Sequence, residues 1–126
     1  MIGGWNMSER FLIVERKSSI NPQVKILDLS GKVMLGDGSV KLRNKIRELL
    51  QCGDQQILLN FQFQKLSYVD SSGIGEFVSS FTAVNKEGGT LKLLNLSEDL
   101  VNLFSATRLL SIFEVFDEEE TALKSF

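Results

Sequence analysis

Asp70, Ser71 and Ser72 stand together in the run "YVDSSGIGEF" (68–77), where an apolar stretch meets one acid, two hydroxyls and two glycines before apolar residues resume at helical spacing. Two kinds of work suit that combination. A serine at a helix start can cap the first free amides, while Gly73 and Gly75 allow tight backbone passage. The same hydroxyls, kept accessible by small neighbours at a helix N-terminus, also suit attachment of a phosphate, whose charge the free amides and the helix dipole favour. A single cap, however, requires neither a preceding acid, nor a second hydroxyl, nor two glycines. On the residues alone both readings stand.

Most other chemistry is excluded by what the 126 residues lack. There is no histidine, which removes a Ser–His–Asp triad, a Cys–His dyad and every His-ligated zinc site. Ser71 lies in V-D-S-S-G and not in the G-x-S-x-G of a nucleophile elbow, so acyl transfer is not expected. Neither "GDGSVK" (36–41) nor "GGTLK" (88–92) offers a phosphate loop, and both read as glycine turns. Asp28, Asp37, Asp54 and Asp70 are too scattered for a calcium loop, and Cys52 is a lone thiol read as structural. No metal or cofactor is therefore expected.

Charge and hydropathy narrow the partners. A net charge of −2 gives no general attraction to nucleic acid or anionic lipid. The basic residues Lys41, Arg43, Lys45 and Arg47 are read as solvating one helix face. No apolar run approaches the ~18–20 residues of a membrane-spanning helix, so no membrane insertion is expected. Residues 1–9 carry no basic start and apolar run of a signal peptide and are read as a flexible leader before a single domain at 10–126. The expected compartment is the cytoplasm.

The elements that must position Ser71 follow from two alternating periods. "RFLIVER" (10–16) and "VKILDLSG" (24–31) are β-rich runs joined through an Asn-Pro turn, consistent with an antiparallel pair. Leu42, Ile46, Leu49 and Leu50 share one helical face, opened near Asp37 or Ser39 and stopped at Gly53. "QQILLNFQF" (55–63) reads as a buried central strand. Ile74, Phe77, Val78, Phe81 and Val84 then mark a second helix ending at Gly88-Gly89. A strand at 90–96, a helix at 97–110 capped by Ser97, a strand at 111–116 and a short helix at 117–126 complete the order β-β-α-β-α-β-α-β-α. Such an order predicts an α/β domain, a small mixed sheet packed with about four helices, with Ser71 beyond the carboxyl end of the third strand, where open sheets bind ligands.

At this point the sequence resembles a known family. "LSYVDSSGIGEFV" (66–78) is similar to the signature of STAS domains, specifically the bacterial anti-sigma-factor antagonists, in which a short [LV]-S-[YF]-[MV]-D stretch and S-[ST]-G-[LI]-G lead into the second helix. The glycines and "LF" of "KEGGTLKLLNLSEDLVNLF" (86–104) match as well, and the likeness runs from Phe11 to about Leu123. The resemblance implies a non-enzymatic binding protein. It would engage an anti-sigma serine kinase when unphosphorylated, release it when phosphorylated on Ser71, and be restored by a PP2C-type phosphatase. It further implies Ser72 as the neighbouring alternative phosphoacceptor and a partner surface made of Asp70, Ser71, Ser72, Gly73, Ile74 and Gly75. The family's Gly-x-[LI]-Asp after the second strand is replaced here by Gly31-Lys32-Val33-Met34, with Asp37 the acid that could stand in. A non-switching scaffold, or an accessory subunit of a lipid-transporting ABC system, is the alternative the family offers.

Overall fold

The computed structural model describes residues 10–33, 36–63 and 65–126; the expected leader at 1–9 and Met34 lie outside them. Strands β1 (Leu12–Lys17) and β2 (Val24–Val33) are antiparallel, with Leu12 opposite Ser30 and Lys17 opposite Lys25. Their turn is tied by Ser18, whose Oγ accepts from the amides of Ile20 and Asn21, both at 3.0 Å. The chain continues as α1 (Asp37–Gln51), β3 (Gln56–Phe63), β4 (Leu66–Val69) and α2 (Ser71–Lys86). It ends as β5 (Thr90–Leu96), α3 (Glu98–Ala106), β6 (Val115–Phe116) and α4 (Glu119–Lys124). The sheet runs β1-β2-β3-β5-β6, parallel from β2 to β6, with β4 also pairing parallel to β2.

The run at 55–63 is almost wholly apolar because β3 is buried on both faces. Ile57, Leu59 and Phe61 join the main core with α1, α2 and α3, while Leu58 faces a smaller core with Val24, Ile26, Leu94 and the Ala122–Leu123 step of α4. Alternate side chains of one strand thus stabilise two layers. Lys92, on the smaller-core face of β5, is only 5% exposed. Its ammonium donates to the carbonyl and hydroxyl of Ser125 and lies over the rings of Phe116 and Phe126, so the buried charge is not stranded.

The helical stripe of α2 packs as its spacing predicts. Phe77 and Val84 are fully buried, and Ile74, Val78 and Phe81 pack partly buried against the same core. Phe77 meets Phe61 at a centroid distance of 5.1 Å and Phe104 at 6.4 Å.

Two elements differ from the sequence reading. A fourth strand, β4, intervenes before α2, held beside β2 through Leu66–Gly31 and Val69–Val33 pairs. The expected strand at 111–116 shrinks to Val115–Phe116, because Arg108 takes a left-handed conformation (φ 62°) and Leu109–Ser111 closes a 3-10 turn.

The end of β2 also fixes where α2 begins. A Cβ on Gly73 would lie 2.8 Å from the Val33 carbonyl oxygen and 2.8 Å from Val69 Cγ1, whereas one on Gly75 would meet nothing within 4 Å. Of the two glycines read as permitting close passage, Gly73 does so and Gly75 does not.

Two denaturant melts check this packing. Phe77→Ala should lose about 3–5 kcal/mol, the usual cost of emptying a phenylalanine site; a loss below ~1 kcal/mol would mean that the ring is not enclosed. Gly73→Ala should cost about 1–3 kcal/mol through overpacking against backbone, although alanine is the better helix former. Gly75→Ala should be neutral or slightly stabilising.

Candidate functional site

The site is built outward from Val33. The Asp70 amide donates to the Val33 carbonyl at 3.1 Å, which carries the chain from β4 across the end of β2. Asp70 is in extended conformation and is the N-cap of α2: its Oδ1 accepts from the Gly73 amide at 2.9 Å, and its carbonyl accepts from the Ile74 amide at 3.0 Å. The sequence reading gave capping to a serine. The structure gives it to the aspartate, so the acid of "VDSSGIG" has a structural task and the serines are relieved of it.

Ser71 and Ser72 are therefore the first two residues of α2. Ser71 is exposed and Ser72 half-buried. Among the described residues neither hydroxyl has a hydrogen-bond partner. Their two amides have no helical acceptor four residues back, so the turn that carries the hydroxyls also presents unpaired donors. Ile74 packs inward against the core, Gly73 is buried and Gly75 is exposed. The six residues singled out from sequence therefore separate into an anchoring set, Asp70, Gly73 and Ile74, and a presented set, Ser71, Ser72 and Gly75. Tyr68, on β4 opposite Lys32, is half exposed just before this turn.

One participant was not legible beforehand. Glu76, in the second turn of α2, is 6% exposed, and its Oε1 takes both Nε (3.2 Å) and Nη2 (2.8 Å) of Arg43 on α1. The carboxylate holds the guanidinium above its ordinary pKa, chiefly through the hydrogen bond. Arg43 was read as solvating a helix face, yet it satisfies a buried acid. Lys41 donates to the Phe11 carbonyl at 3.1 Å, and Lys45 pairs with Glu15 and Glu48. Most of that basic run is thus committed within the protein. An acid beside the apolar stripe of α2, opposite a helix bearing four cations, was the available signal. Asp37 opens α1, but its side chain lies outside what is described. Cys52 is exposed at the C-cap of α1.

No group of three or more acids or thiols that could hold a metal occurs among the described residues. What the turn shows is one exposed hydroxyl on a backbone held by the Asp70 cap and the Val33 carbonyl.

Comparison with known proteins places this fold in a family. The STAS domain model matches residues 15–122. The anti-sigma-B factor antagonist of Bacillus subtilis is 39% identical over 95 residues, covering 75% of this chain and 83% of its own. Among solved structures, the anti-sigma factor antagonist SpoIIAA in its unphosphorylated form superimposes with a TM-score of 0.67 at 21% identity, covering 90% of this chain and 96% of its own. The phosphorylated form of the Bacillus protein SpoIIAA gives the same TM-score, 0.67, at 23% identity and coverage of 92% and 98%. With the domain model matched across most of its length and the D-S-S-G-I-G turn in place, the chain belongs to the STAS-domain family, among the bacterial anti-sigma-factor antagonists.

Proposed function

We propose that this protein is an anti-sigma-factor antagonist that works as a phosphorylatable switch. Unphosphorylated, it binds an anti-sigma serine kinase and so frees a sigma factor; phosphorylated on Ser71, it lets the kinase go. A PP2C-type phosphatase returns the hydroxyl. The protein is a substrate and a binding partner, not an enzyme, and it acts in the cytoplasm. Its surface partner is a protein, not a nucleic acid, and among the described residues no helix is long and apolar enough to cross a membrane.

The observation that carries this reading is the division of labour at the start of α2. Asp70 supplies the cap, so the exposed Ser71 hydroxyl has no structural duty and is open to modification. The name of the Bacillus subtilis relative supports the sigma-factor setting. Asp70, Ser71, Ser72, Gly73, Ile74 and Gly75 form the proposed docking turn.

A phosphate on Ser71 adds about −1.5 to −2 charges at neutral pH. Asp70 next to it opposes that charge, and the free amides of the first turn favour it at ~0.3–1 kcal/mol. Arg43, the cation that α1 sends to α2, is already held by Glu76 and offers no ready counter-charge. A partner seated on Ser71 would have to desolvate the phosphate, at several kcal/mol for an unpaired charge. About 2.8 kcal/mol already lowers affinity a hundredfold.

Phosphopeptide mapping after incubation with the cognate kinase and ATP should place the label on Ser71, and Ser72→Ala should still accept it. Label on Ser72 alone would move the site by one residue; no label on either serine would favour the non-switching scaffold. In a binding assay, Ser71→Asp should weaken kinase affinity at least tenfold while melting almost as the parent does. Ser71→Ala should bind and resist phosphorylation. Gly75→Val, which adds bulk to the presented face at a position where a Cβ meets nothing within 4 Å, should weaken binding with little effect on the fold; unchanged affinity would remove Gly75 from the docking turn.

A further inference from the structure

One edge of the sheet is left unguarded. Among the described residues β1 is the outermost strand on its side, and its six residues pair with β2 in unbroken register from Leu12–Ser30 to Lys17–Lys25. Edge strands are ordinarily protected by a bulge, a proline, shortness or outward charges, because their outer amides and carbonyls template a further strand. The opposite edge is protected by shortness, since β6 has two residues. β1 has no bulge, no proline and no glycine. Two of its charges are drawn inward: Glu15 is held by Lys45 at 2.6 Å and Lys25 at 3.5 Å, and Arg16 by Asp28 and by Glu119 at 2.6 Å. Its apolar side chains are left outside. Leu12 is 44% exposed and Val14 57%, the highest value for a large apolar side chain among the described residues. They share the face of β1 opposite Ile13, which packs on the main core. On the Ile13 side, an open groove of about 330 Å³ between β1 and α1, reaching Asn44 and Glu48, leaves room beside the edge.

We infer that two copies of this chain associate through β1, pairing edge to edge and antiparallel about a two-fold axis at Val14, so that the two sheets become one. A strand edge fixes the class of partner, another extended strand; the residues on it select a second copy. A two-fold axis across an edge runs perpendicular to the sheet, which makes the pair antiparallel, keeps like faces together and centres it on a residue. Centred on Val14, it sets Val14 opposite Val14, Leu12 opposite the aliphatic stem of Arg16, and Ile13 opposite Glu15. No like charges lie directly opposite, and Leu12 of one copy reaches Val14 of the other on the diagonal. The neighbouring registers fail. Centring on Glu15 places two carboxylates opposite each other. Centring on Ile13 draws in Phe11, which is buried and whose carbonyl already accepts from Lys41 at 3.1 Å. So short a ladder buries far less than an obligate interface does, so the dimer is weak and governed by concentration.

Sedimentation of the full chain across roughly 10 μM to 1 mM, the range a small interface implies, should show the mass rising from one copy toward two. Hydrogen exchange should gain protection at alternate amides of residues 12–16 in the concentrated sample. Val14→Lys puts two ammonium groups at the axis and should weaken association at least about tenfold. Because Val14 is exposed, the dilute variant should melt as the parent does. In a Cys52→Ser background, which removes the exposed native thiol, Val14→Cys should cross-link to a covalent dimer under diamide. Leu12→Cys, with Arg16 opposite, should not. The inference is overturned if the chain sediments as one copy throughout, if Val14→Lys associates like the parent, or if Leu12→Cys cross-links as well as Val14→Cys. Protection of the β1 edge that does not change with concentration would also overturn it, by placing another segment of the same chain there. None of these readouts involves the kinase or Ser71, so the outcome is independent of the switch.

Discussion

The carbonyl of Val33 is the point on which the turn into α2 depends. It accepts from the Asp70 amide, and it lies so close to Gly73 that no side chain fits there. β2 reaches that position only because Gly31 takes φ +91° where the backbone of Arg10 and Phe11 crosses it. The pairing register with β4 shifts between Gly31 and Lys32. At the same place the Gly31 amide donates to the Lys65 carbonyl at 2.8 Å, which starts β4 alongside. The order of constraint is therefore a kinked β2, a short β4 docked on its end, an aspartate cap and then a helix whose first turn lies on backbone. Each step fixes the next, and the exposed serine inherits a defined position without making a bond of its own.

Much of this was legible before any coordinates. Helices α1 and α2 declared themselves because both bury a single stripe, and periodicity reports that directly. The buried strands β3 and β5 appeared as continuous apolar runs. β4 did not, because four residues, Leu66–Val69, pair only with a bulged strand end and leave no pattern longer than the motif itself. At 111–116, β-rich composition suggested a strand, but the left-handed Arg108 and the turn after it leave only Val115–Phe116 as strand. Local propensity cannot weigh a turn closed by backbone bonds such as Phe113 to Leu109 at 3.1 Å.

At the site, residue types located the turn but did not apportion its roles. Serine and aspartate are nearly equivalent as caps, so sequence could not decide which of Asp70, Ser71 or Ser72 holds the amides. The decision comes from position: the residue in extended backbone just before the helix must be the cap, and β4 leaves Asp70 there. Likewise, the Arg43–Glu76 pair joins residues 33 apart in sequence, on two different helices. A run of cations on α1 reads as a solvated face until its neighbour is known to carry a buried acid. Removing Arg43 would leave that acid uncompensated, which is costlier than losing a surface pair.

In the proposed switch, the same physics would let one charge govern binding without governing the fold. At Ser71 a phosphate would remain in water, where a charge a few ångströms from Asp70 costs only about 1 kcal/mol and salt screens it further. The packing beneath it, from Gly73 on Val33 to Phe77 on Phe61, is apolar or backbone and has no term that responds to that charge. A partner's surface has no such indifference. Closing over Ser71 would replace the water that makes the charge cheap with low-dielectric contact, and the nearby guanidinium of Arg43 is already occupied. The proposed switch would thereby separate the stability of the domain from its readiness to bind, because Asp70 has taken the cap and left the serine outside.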